Sequence, residues 1–331
     1  ASPHVLDVLE RLENIKKKRK FFLYGIITNG INLHEFVDRL KGLYFLDVSI
    51  DGMEEVHDGI RGKGVFKKAV ENLLLAIEKK VAEKIFVAST LNETNAQSIL
   101  ELIEYLSGKG VKHFGVGLFF HTPFTPPEFI LSLETLLNFI LSLKKFLEEK
   151  INPPVEVLLE IAPENISFLP ILFEKGILKE EKICVDRLGD FYIKETFGNG
   201  NILYYGFPPF MDFSFWAHAR IKAGLYIGAC VPLILPGDEW KKFSVGSVLE
   251  EPIEVLYRRS LKYQLREILE RVEQARLSTP PEVFRYTLGG SHYIELILEK
   301  GGYRETLERY RKVYSYRASG RFSFVQTYPQ T

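Results

Sequence analysis

The amino-acid sequence predicts an α/β fold in which helices cover a parallel sheet. Its apolar runs are strand-sized and apolar on both faces. Amphipathic segments separate these runs, and polar or small residues follow most of them. Buried strands that alternate with helices are typical of parallel sheets. Open α/β sheets and barrels bind ligands at the edge formed by the carboxyl ends of their strands.

Helix and strand alternate regularly through the first 161 residues. Ser2 and Pro3 begin the first helix, because a serine N-cap followed by proline is a common helix start. Later helices are predicted at residues 32–40, 65–82, 93–109 and 132–150. Strands are predicted at residues 21–27, 44–50, 84–90, 112–120 and 155–161. A barrel of such units should begin with a strand, so we expect that the repeating fold lacks its first strands.

The pattern changes after residue 161, where Gly, Asn and Pro separate shorter strands. Strands at residues 183–185, 191–193, 202–205 and 225–231 predict a small α+β region over residues 162–260. A helix at residues 252–276 leads into a helical tail, residues 261–331. The tail is basic and rich in tyrosine, which suits an acidic partner or single-stranded nucleic acid. Opposite charges four residues apart, such as Arg266 and Glu270, favour a solvated helical surface instead.

The composition excludes several classes of protein. The chain has 331 residues with 43 Lys+Arg and 43 Asp+Glu, a balance that gives no general nucleic-acid signal. No apolar run approaches the roughly 18 residues of a membrane span. The first residues show no secretory pattern, so a cytoplasmic protein is predicted. A thiolate-bound iron–sulfur cluster takes about four cysteines. This chain has only Cys184 and Cys230, so it does not hold a cluster alone.

The strongest cluster of candidate site residues lies at residues 49–64, directly after a buried strand. Its four glycines predict a flexible loop that lets the backbone approach a ligand. Arg61 suits a carboxylate, and Ser49 suits a ribose or carboxylate oxygen. A phosphate loop is disfavoured because the G-x-x-x-x-G-K-[ST] spacing is missing. A metal site at His57 and the two aspartates is a weaker alternative, because no second histidine lies at helical spacing.

Several motifs occur in a fixed order over residues 2–127. They are Ile27-Thr28-Asn29-Gly30, Val48-Ser49-Ile50-Asp51-Gly52, His57-Asp58-Gly59-Ile60-Arg61-Gly62-Lys63-Gly64-Val65-Phe66, Thr90-Leu91-Asn92-Glu93-Thr94-Asn95 and Phe120-His121-Thr122-Pro123-Phe124-Thr125-Pro126. Together they resemble the radical S-adenosylmethionine (radical SAM) superfamily, in its branch with SPASM or twitch extensions. The segment that ends at Cys230 resembles the strand that bears the first auxiliary-cluster cysteine of these extensions.

The resemblance implies a partial (β/α)6 barrel over residues 1–161, followed by a SPASM/twitch-like region and the tail. The barrel would bind S-adenosylmethionine and a [4Fe-4S] cluster at the carboxyl ends of its strands. Electrons from a reductant protein would give a 5′-deoxyadenosyl radical that abstracts hydrogen from a substrate, for which a peptide is our interpretation. The residues implied in binding S-adenosylmethionine are Thr28, Asn29, Ser49, Asp51, Arg61, Asn92 and His121.

The resemblance also assigns roles to most of these residues by position. Ser49 and Arg61 would hold the ribose and the methionine carboxylate, with Asn92 nearby on the next strand end. Thr28 and Asn29 would line the pocket floor, and the segment that includes His121 would lie beside the adenine. The competing interpretation is that these residues serve turns alone, since Asn-Gly and Asp-Gly favour turns for backbone reasons. No catalytic residue is assigned.

Two segments of the family pattern are missing from the sequence. One is the C-x-x-x-C-x-x-C loop that binds the cluster, and the other is the Gly-Gly-Glu-Pro segment that holds the methionine amine. Cys230 is interpreted as a remnant of an auxiliary-cluster site, with Cys184 as its companion. We therefore expect a piece of a longer radical SAM enzyme. The alternatives are a cluster-free radical SAM-fold protein that binds or scaffolds a partner, and an unrelated α/β barrel enzyme.

Overall fold

A computed structural model describes most of the first 207 residues and parts of the next 56. The described residues are 5–19, 22–40, 42–119, 126–161, 172–173, 175–185, 191–207, 216–220, 224–228, 244–247 and 249–263. The chain divides into two compact units. The first comprises Ala1–Leu118, Glu134–Glu160 and Lys194–Tyr204, and the second comprises Phe119–Leu133, Ile161–Ile193 and Tyr205–Thr331. The predicted domain boundaries at residues 161 and 260 stay predictions.

Five consecutive strands of the first unit pair in parallel. They are β1 (Gly25–Thr28), β2 (Leu43–Ser49), β3 (Ala82–Leu91), β4 (His113–Leu118) and β5 (Glu156–Glu160). Three later strands are β6 (Ile183–Val185), β7 (Phe191–Thr196) and β8 (Ile202–Phe207). The order in the eight-stranded sheet is β1-β2-β3-β4-β5-β8-β7-β6. The predicted α/β class with a largely parallel sheet is confirmed.

Five α-helices accompany the parallel strands. They are α1 (Val5–Lys18), α2 (Glu54–Arg61), α3 (Val65–Lys79), α4 (Ala96–Ser107) and α5 (Leu133–Glu149). Two predictions are wrong here. The predicted helix at residues 32–40 is two short 3-10 helices, Leu33–Glu35 and Val37–Arg39, because Phe36 interrupts them with φ −120°. The predicted flexible loop contains α2, whose first turn carries Glu54 and Glu55, where acidic residues stabilise the helix dipole.

The parallel sheet has one buried face and a second face, called the open face below, whose residues Asp47, Ser49, Ala88, Gly115 and Gly117 are partly exposed. Leu46 and Val48 of β2 are fully buried on the buried face. Alternate residues of β2, including Asp47 and Ser49, lie on the other face. The strand register places Ser49 opposite Ala88, Ala88 opposite Gly115, and Gly115 opposite Leu158. Within the part of the chain that the structure describes, a methyl group added to Gly115 or Gly117 would meet no atom within 4 Å, so there is space beside these two glycines.

Asn201, at the start of β8, joins that strand to the end of α5. Its side chain is fully buried. The amide nitrogen donates hydrogen bonds to the carbonyls of Leu147 (2.6 Å) and Ile151 (3.0 Å). The amide oxygen accepts the Val155 N–H at 2.7 Å. One side chain therefore satisfies the backbone at the carboxyl end of α5 and at the entry to β5.

The second unit is mainly antiparallel among its described residues. β6 pairs with β7. A separate sheet consists of β9 (Trp216–Arg220), β10 (Gly224–Gly228) and β11 (Ser244–Ser247), and helix α6 (Ile253–Tyr263) follows it. β9 was not predicted, β10 falls within the predicted strand 225–231 except for its first residue, and α6 falls within the predicted helix 252–276. Cys230 and residues 264–331, most of the predicted tail, lie outside the described residues.

No helix within the described residues combines the length and the apolar character needed to cross a bilayer.

Candidate functional site

Asp51 is the centre of the polar network at the carboxyl end of β2. It is 3% exposed and follows Ser49 by two residues. One carboxylate oxygen, Oδ1, accepts the Thr90 N–H at 2.9 Å, and this links β2 to the end of β3. The other oxygen, Oδ2, accepts a hydrogen bond from Nε of Arg61 at 2.5 Å. The parallel register thus brings together side chains that the sequence places at neighbouring strand ends.

Arg61 forms an ion pair with Asp51 through one edge of its guanidinium group. The side chain of Arg61 is 32% exposed, whereas that of Asp51 is 4% exposed. An arginine carries five N–H donors in a planar fork, and Nε accounts for one of them. The Nη atoms of Arg61 have no partner among the described residues. The outer edge of the fork is therefore available to a carboxylate in the bidentate arrangement that arginine favours.

Asn95 completes the network. It belongs to the sequence motif Thr90-Leu91-Asn92-Glu93-Thr94-Asn95, but no role was predicted for it. It is fully buried. Its amide nitrogen donates to the carbonyls of both Asp51 and Thr90, each at 2.9 Å, and its oxygen accepts the Asn92 N–H at 2.8 Å. Asn95 thus joins the ends of β2 and β3. The sequence offered no clear signal for this role, because Asn95 fell inside the predicted helix 93–109, whereas in the structure it is the N-cap residue of α4.

Asn92, a predicted cofactor-binding residue, is 4% exposed. Its side-chain oxygen accepts hydrogen bonds from the Thr94 N–H (2.8 Å) and the Thr94 hydroxyl (2.9 Å). This oxygen shapes the turn before α4. A direct role of Asn92 in binding a cofactor stays a prediction.

Thr28 and Asn29 shape the turn that follows β1. Thr28 accepts the Gly30 N–H at 3.1 Å, and Asn29 accepts the Ile31 N–H at 3.2 Å. Gly30 has φ +74°, and a methyl group there would lie 2.9 Å from Val48 Cγ1. These contacts agree with the turn interpretation of the motif, while the predicted role in the pocket floor stays a prediction.

Ser49 and His121 are the remaining predicted residues. Ser49 is the last residue of β2 on the open face, where it is partly exposed. His121 lies outside the described residues, so its place beside an adenine ring stays a prediction.

The proposed metal alternative gains no support, because its three residues have other partners. Asp58 accepts the N–H groups of Gly64 (2.5 Å) and Phe66 (2.8 Å) and so caps α3. These backbone hydrogen bonds, the one from Phe66 foremost, lower the pKa of Asp58. The ring of His57 accepts the Asp51 N–H at Nδ1, 3.0 Å away. Among the described residues, no group of three or more His, Cys, Asp or Glu side chains is arranged to hold a metal ion.

His57 is a buried neutral histidine. It is fully buried, and its Nε2 has no hydrogen-bond partner among the described residues. Burial lowers the pKa of His57 below its ordinary value, and Arg61 lowers it further while Asp51 and Asp58 oppose the shift. The neutral ring keeps Nδ1 as the acceptor that holds the Asp51 N–H.

We expect His57 to make stability depend on pH. As the pH falls below about 6.5, the histidine of the unfolded chain gains a proton that the folded chain resists, so stability is lost in that range and is fully present above it. Urea unfolding between about pH 5 and pH 8 measures this loss. A His57→Gln variant should lose less stability than the unaltered chain over that range. Equal losses in the two proteins would contradict the assignment.

The described residues fit S-adenosylmethionine better than they fit an iron–sulfur cluster. Arg61 offers a guanidinium edge with no partner among the described residues to a carboxylate, and the space beside Gly115 and Gly117 of β4 leaves room for a flat group on the open face. A cubane cluster needs about four thiolates. Cys184 is the one cysteine within the described part of the chain, and the whole sequence has two. The cluster ligands are therefore not found in this chain.

Comparison with known proteins finds a relative of significant sequence similarity. The chain is 33% identical over 97 residues to the sporulation killing factor maturation protein SkfB of Bacillus subtilis (strain 168). The match spans 28% of this chain and 23% of that protein, so the matched segment is less than a quarter of the relative's length. No family model matches the chain.

Two solved structures are also similar to the chain. One is polyhistidine-tagged anSMEcpe with bound AdoMet, at 13% identity and a TM-score of 0.49 over 94% of this chain and 76% of that chain. The other is native anSMEcpe with bound AdoMet and the Cp18Cys peptide, at 13% identity and a TM-score of 0.49 over 96% and 82%.

The sequence match to SkfB supports the resemblance that the motifs predict. The chain is similar to the radical SAM superfamily in its SPASM-type branch.

Proposed function

We propose that the chain forms the S-adenosylmethionine-binding part of a radical SAM-type enzyme that modifies a peptide. The observation that carries this proposal is the ion pair of Arg61 with the buried carboxylate of Asp51 at the carboxyl end of β2, in which the outer edge of the guanidinium group has no partner among the described residues. Its position within the motifs shared with the superfamily supports a carboxylate-bearing cofactor. The relative named as a maturation protein of a sporulation killing factor supports a peptide as the substrate class of this proposal.

Each candidate residue has a distinct part in this proposal. Arg61 binds the methionine carboxylate through its Nη atoms, because two parallel N–H···O bonds suit a carboxylate. Ser49 lies on the open face, where its hydroxyl is placed to bond a ribose oxygen. Gly115 and Gly117 leave space for a ligand on that face. When bound, S-adenosylmethionine supplies the 5′-deoxyadenosyl group used by this superfamily.

The [4Fe-4S] cluster and the reductant protein remain part of the proposal without residues assigned to them. Neither the described residues nor the two cysteines of the sequence supply a cluster site. The proposal for this chain therefore concerns binding and orientation of S-adenosylmethionine.

Replacing Arg61 with alanine is expected to weaken the binding of S-adenosylmethionine about tenfold or more, because hydrogen bonds to charged groups contribute about 1.5–3 kcal/mol. Isothermal titration calorimetry with the purified chain measures the affinity. Arg39→Ala is the matched control, since Arg39 is an exposed arginine of the same unit. Equal affinities of the Arg61→Ala variant and the unaltered chain would remove Arg61 from the site. No binding by the unaltered chain would contradict the proposed function itself.

A further inference from the structure

We propose that Asp51 is a positioning residue, which holds the guanidinium group of Arg61 ready for the carboxylate of S-adenosylmethionine and does not touch that ligand. This inference rests on the proposed function. It assigns Asp51 a role different from direct cofactor binding, which the motif alone implies.

The backbone and carboxylate of Asp51 are fixed on several sides. Its N–H donates to Nδ1 of His57 at 3.0 Å, and its carbonyl accepts from Asn95 at 2.9 Å. Its Oδ1 accepts the Thr90 N–H at 2.9 Å. A side chain that is 4% exposed and held in this way has little freedom to turn toward a ligand. The remaining oxygen is committed to Arg61.

Arg61 is held at one point only among the described residues, and that point determines which edge of the fork is presented. The contact from Asp51 Oδ2 is to Nε, the donor closest to the backbone. The pair Nη1 and Nη2 then forms the outer edge, which is the edge that a carboxylate binds with two parallel hydrogen bonds. Arg61 is also the last residue of α2, so the helix fixes the start of its side chain.

This arrangement reduces the loss of conformational entropy that the Arg61 side chain undergoes when it binds a carboxylate. A long side chain that is already ordered gives up less conformational freedom on binding than a free one does. The negative charge of Asp51 also orders the guanidinium in the absence of ligand, because a buried carboxylate needs a cationic or hydrogen-bonding partner. Asp51 therefore acts on the ligand only through Arg61.

The decisive experiment compares two ligands that differ in the carboxylate. S-adenosylmethionine carries one, and 5′-methylthioadenosine lacks the whole amino-acid portion. Asp51→Asn keeps an oxygen for the Thr90 N–H but removes the charge that holds Arg61. We expect it to weaken S-adenosylmethionine binding about tenfold and to change 5′-methylthioadenosine binding less than about twofold. Equal weakening of both ligands would show a merely structural role and overturn the proposal.

Two further variants sharpen the comparison. In an Arg61→Ala background, Asp51→Asn should have no further effect on S-adenosylmethionine binding, because Asp51 then has nothing to position. Additive effects of the two substitutions would contradict the inference. Asp58→Asn is the control for charge, since it removes the same carboxylate from a residue that caps α3 and makes no contact with Arg61 among the hydrogen bonds described.

A measurement on the unaltered chain covers the case in which Asp51→Asn does not fold. Side-chain nitrogen NMR of Arg61 reports whether its Nε–H is protected from exchange before any ligand is added. We expect protection in the ligand-free chain. Exchange as fast as that of the exposed Arg39 would overturn the inference. If the unaltered chain binds S-adenosylmethionine and Arg61→Ala does not, the proposed function stands whatever the result for Asp51.

Discussion

Replacing Asn201 with alanine is expected to lower the free energy of unfolding by about 4 kcal/mol, because a buried backbone group left without a partner costs about 1–3 kcal/mol. The substitution removes three hydrogen bonds from a fully buried side chain, those to Leu147, Ile151 and Val155. The carbonyls of Leu147 and Ile151 keep a contact from Asn199, which reduces the total.

Asn199 is the matched control for this prediction. It is exposed, and its amide also donates to Leu147, at 2.7 Å. Water replaces its hydrogen bonds, so Asn199→Ala should cost only about 1 kcal/mol. Urea unfolding followed by circular dichroism measures both variants. The buried asparagine would have no special role if the two substitutions had equal effects.

Replacing Asp47 with asparagine is expected to stabilise the chain by about 2 kcal/mol at neutral and higher pH, since one pKa unit corresponds to about 1.4 kcal/mol and the partial exposure of Asp47 reduces the sum. Asp47 lies on the open face of β2, and its buried Oδ1 accepts no hydrogen bond within the described residues. Burial first, and then the negative charge of Glu160, raises the pKa of Asp47 to about 6.

The raised pKa of Asp47 determines how the stability of the chain changes with pH. Between about pH 4 and pH 6 the folded chain keeps a proton on Asp47 that the unfolded chain releases, so stability falls as the pH rises through this range. Above it, the charged carboxylate costs stability in full. Asp47→Asn should therefore gain most at about pH 8 and little below about pH 4. The exposed Asp38→Asn is the control, and a less stable Asp47→Asn variant at high pH would contradict the prediction.

The strands of the first unit were predictable because their apolar runs are bounded by turn residues. The β2 and β3 strands lie within two residues of the predicted bounds at each end. Helix α2 was missed because Gly52, Gly59, Gly62 and Gly64 outweighed a short helical segment. Its stability comes from acidic residues in the first turn and from packing of His57. Neither feature produces the repeating pattern of apolar residues from which a helix is predicted.

For a related reason, the sequence could suggest candidate residues but not the contacts between them. Arg61 and Ser49 could be singled out by residue type and position after a strand. The ion pair of Arg61 with Asp51 could not be predicted, because it forms only when helix α2 brings Arg61 back to Asp51, ten residues earlier in the chain. Asn95 was assigned no role because its three hydrogen bonds join two strands that are neighbours only in the folded sheet.

The hydrogen bonds that fix the end of β2 each join a main-chain atom to a side chain. Asp51 is held through its own N–H and carbonyl and through the Thr90 N–H, and Asn95 binds the Thr90 carbonyl. These atoms are present whatever side chain stands at position 90. The exposed residue at position 90 can therefore be exchanged without loss of the main-chain hydrogen bonds that it forms with Asp51 and Asn95, so this strand end should tolerate substitution there.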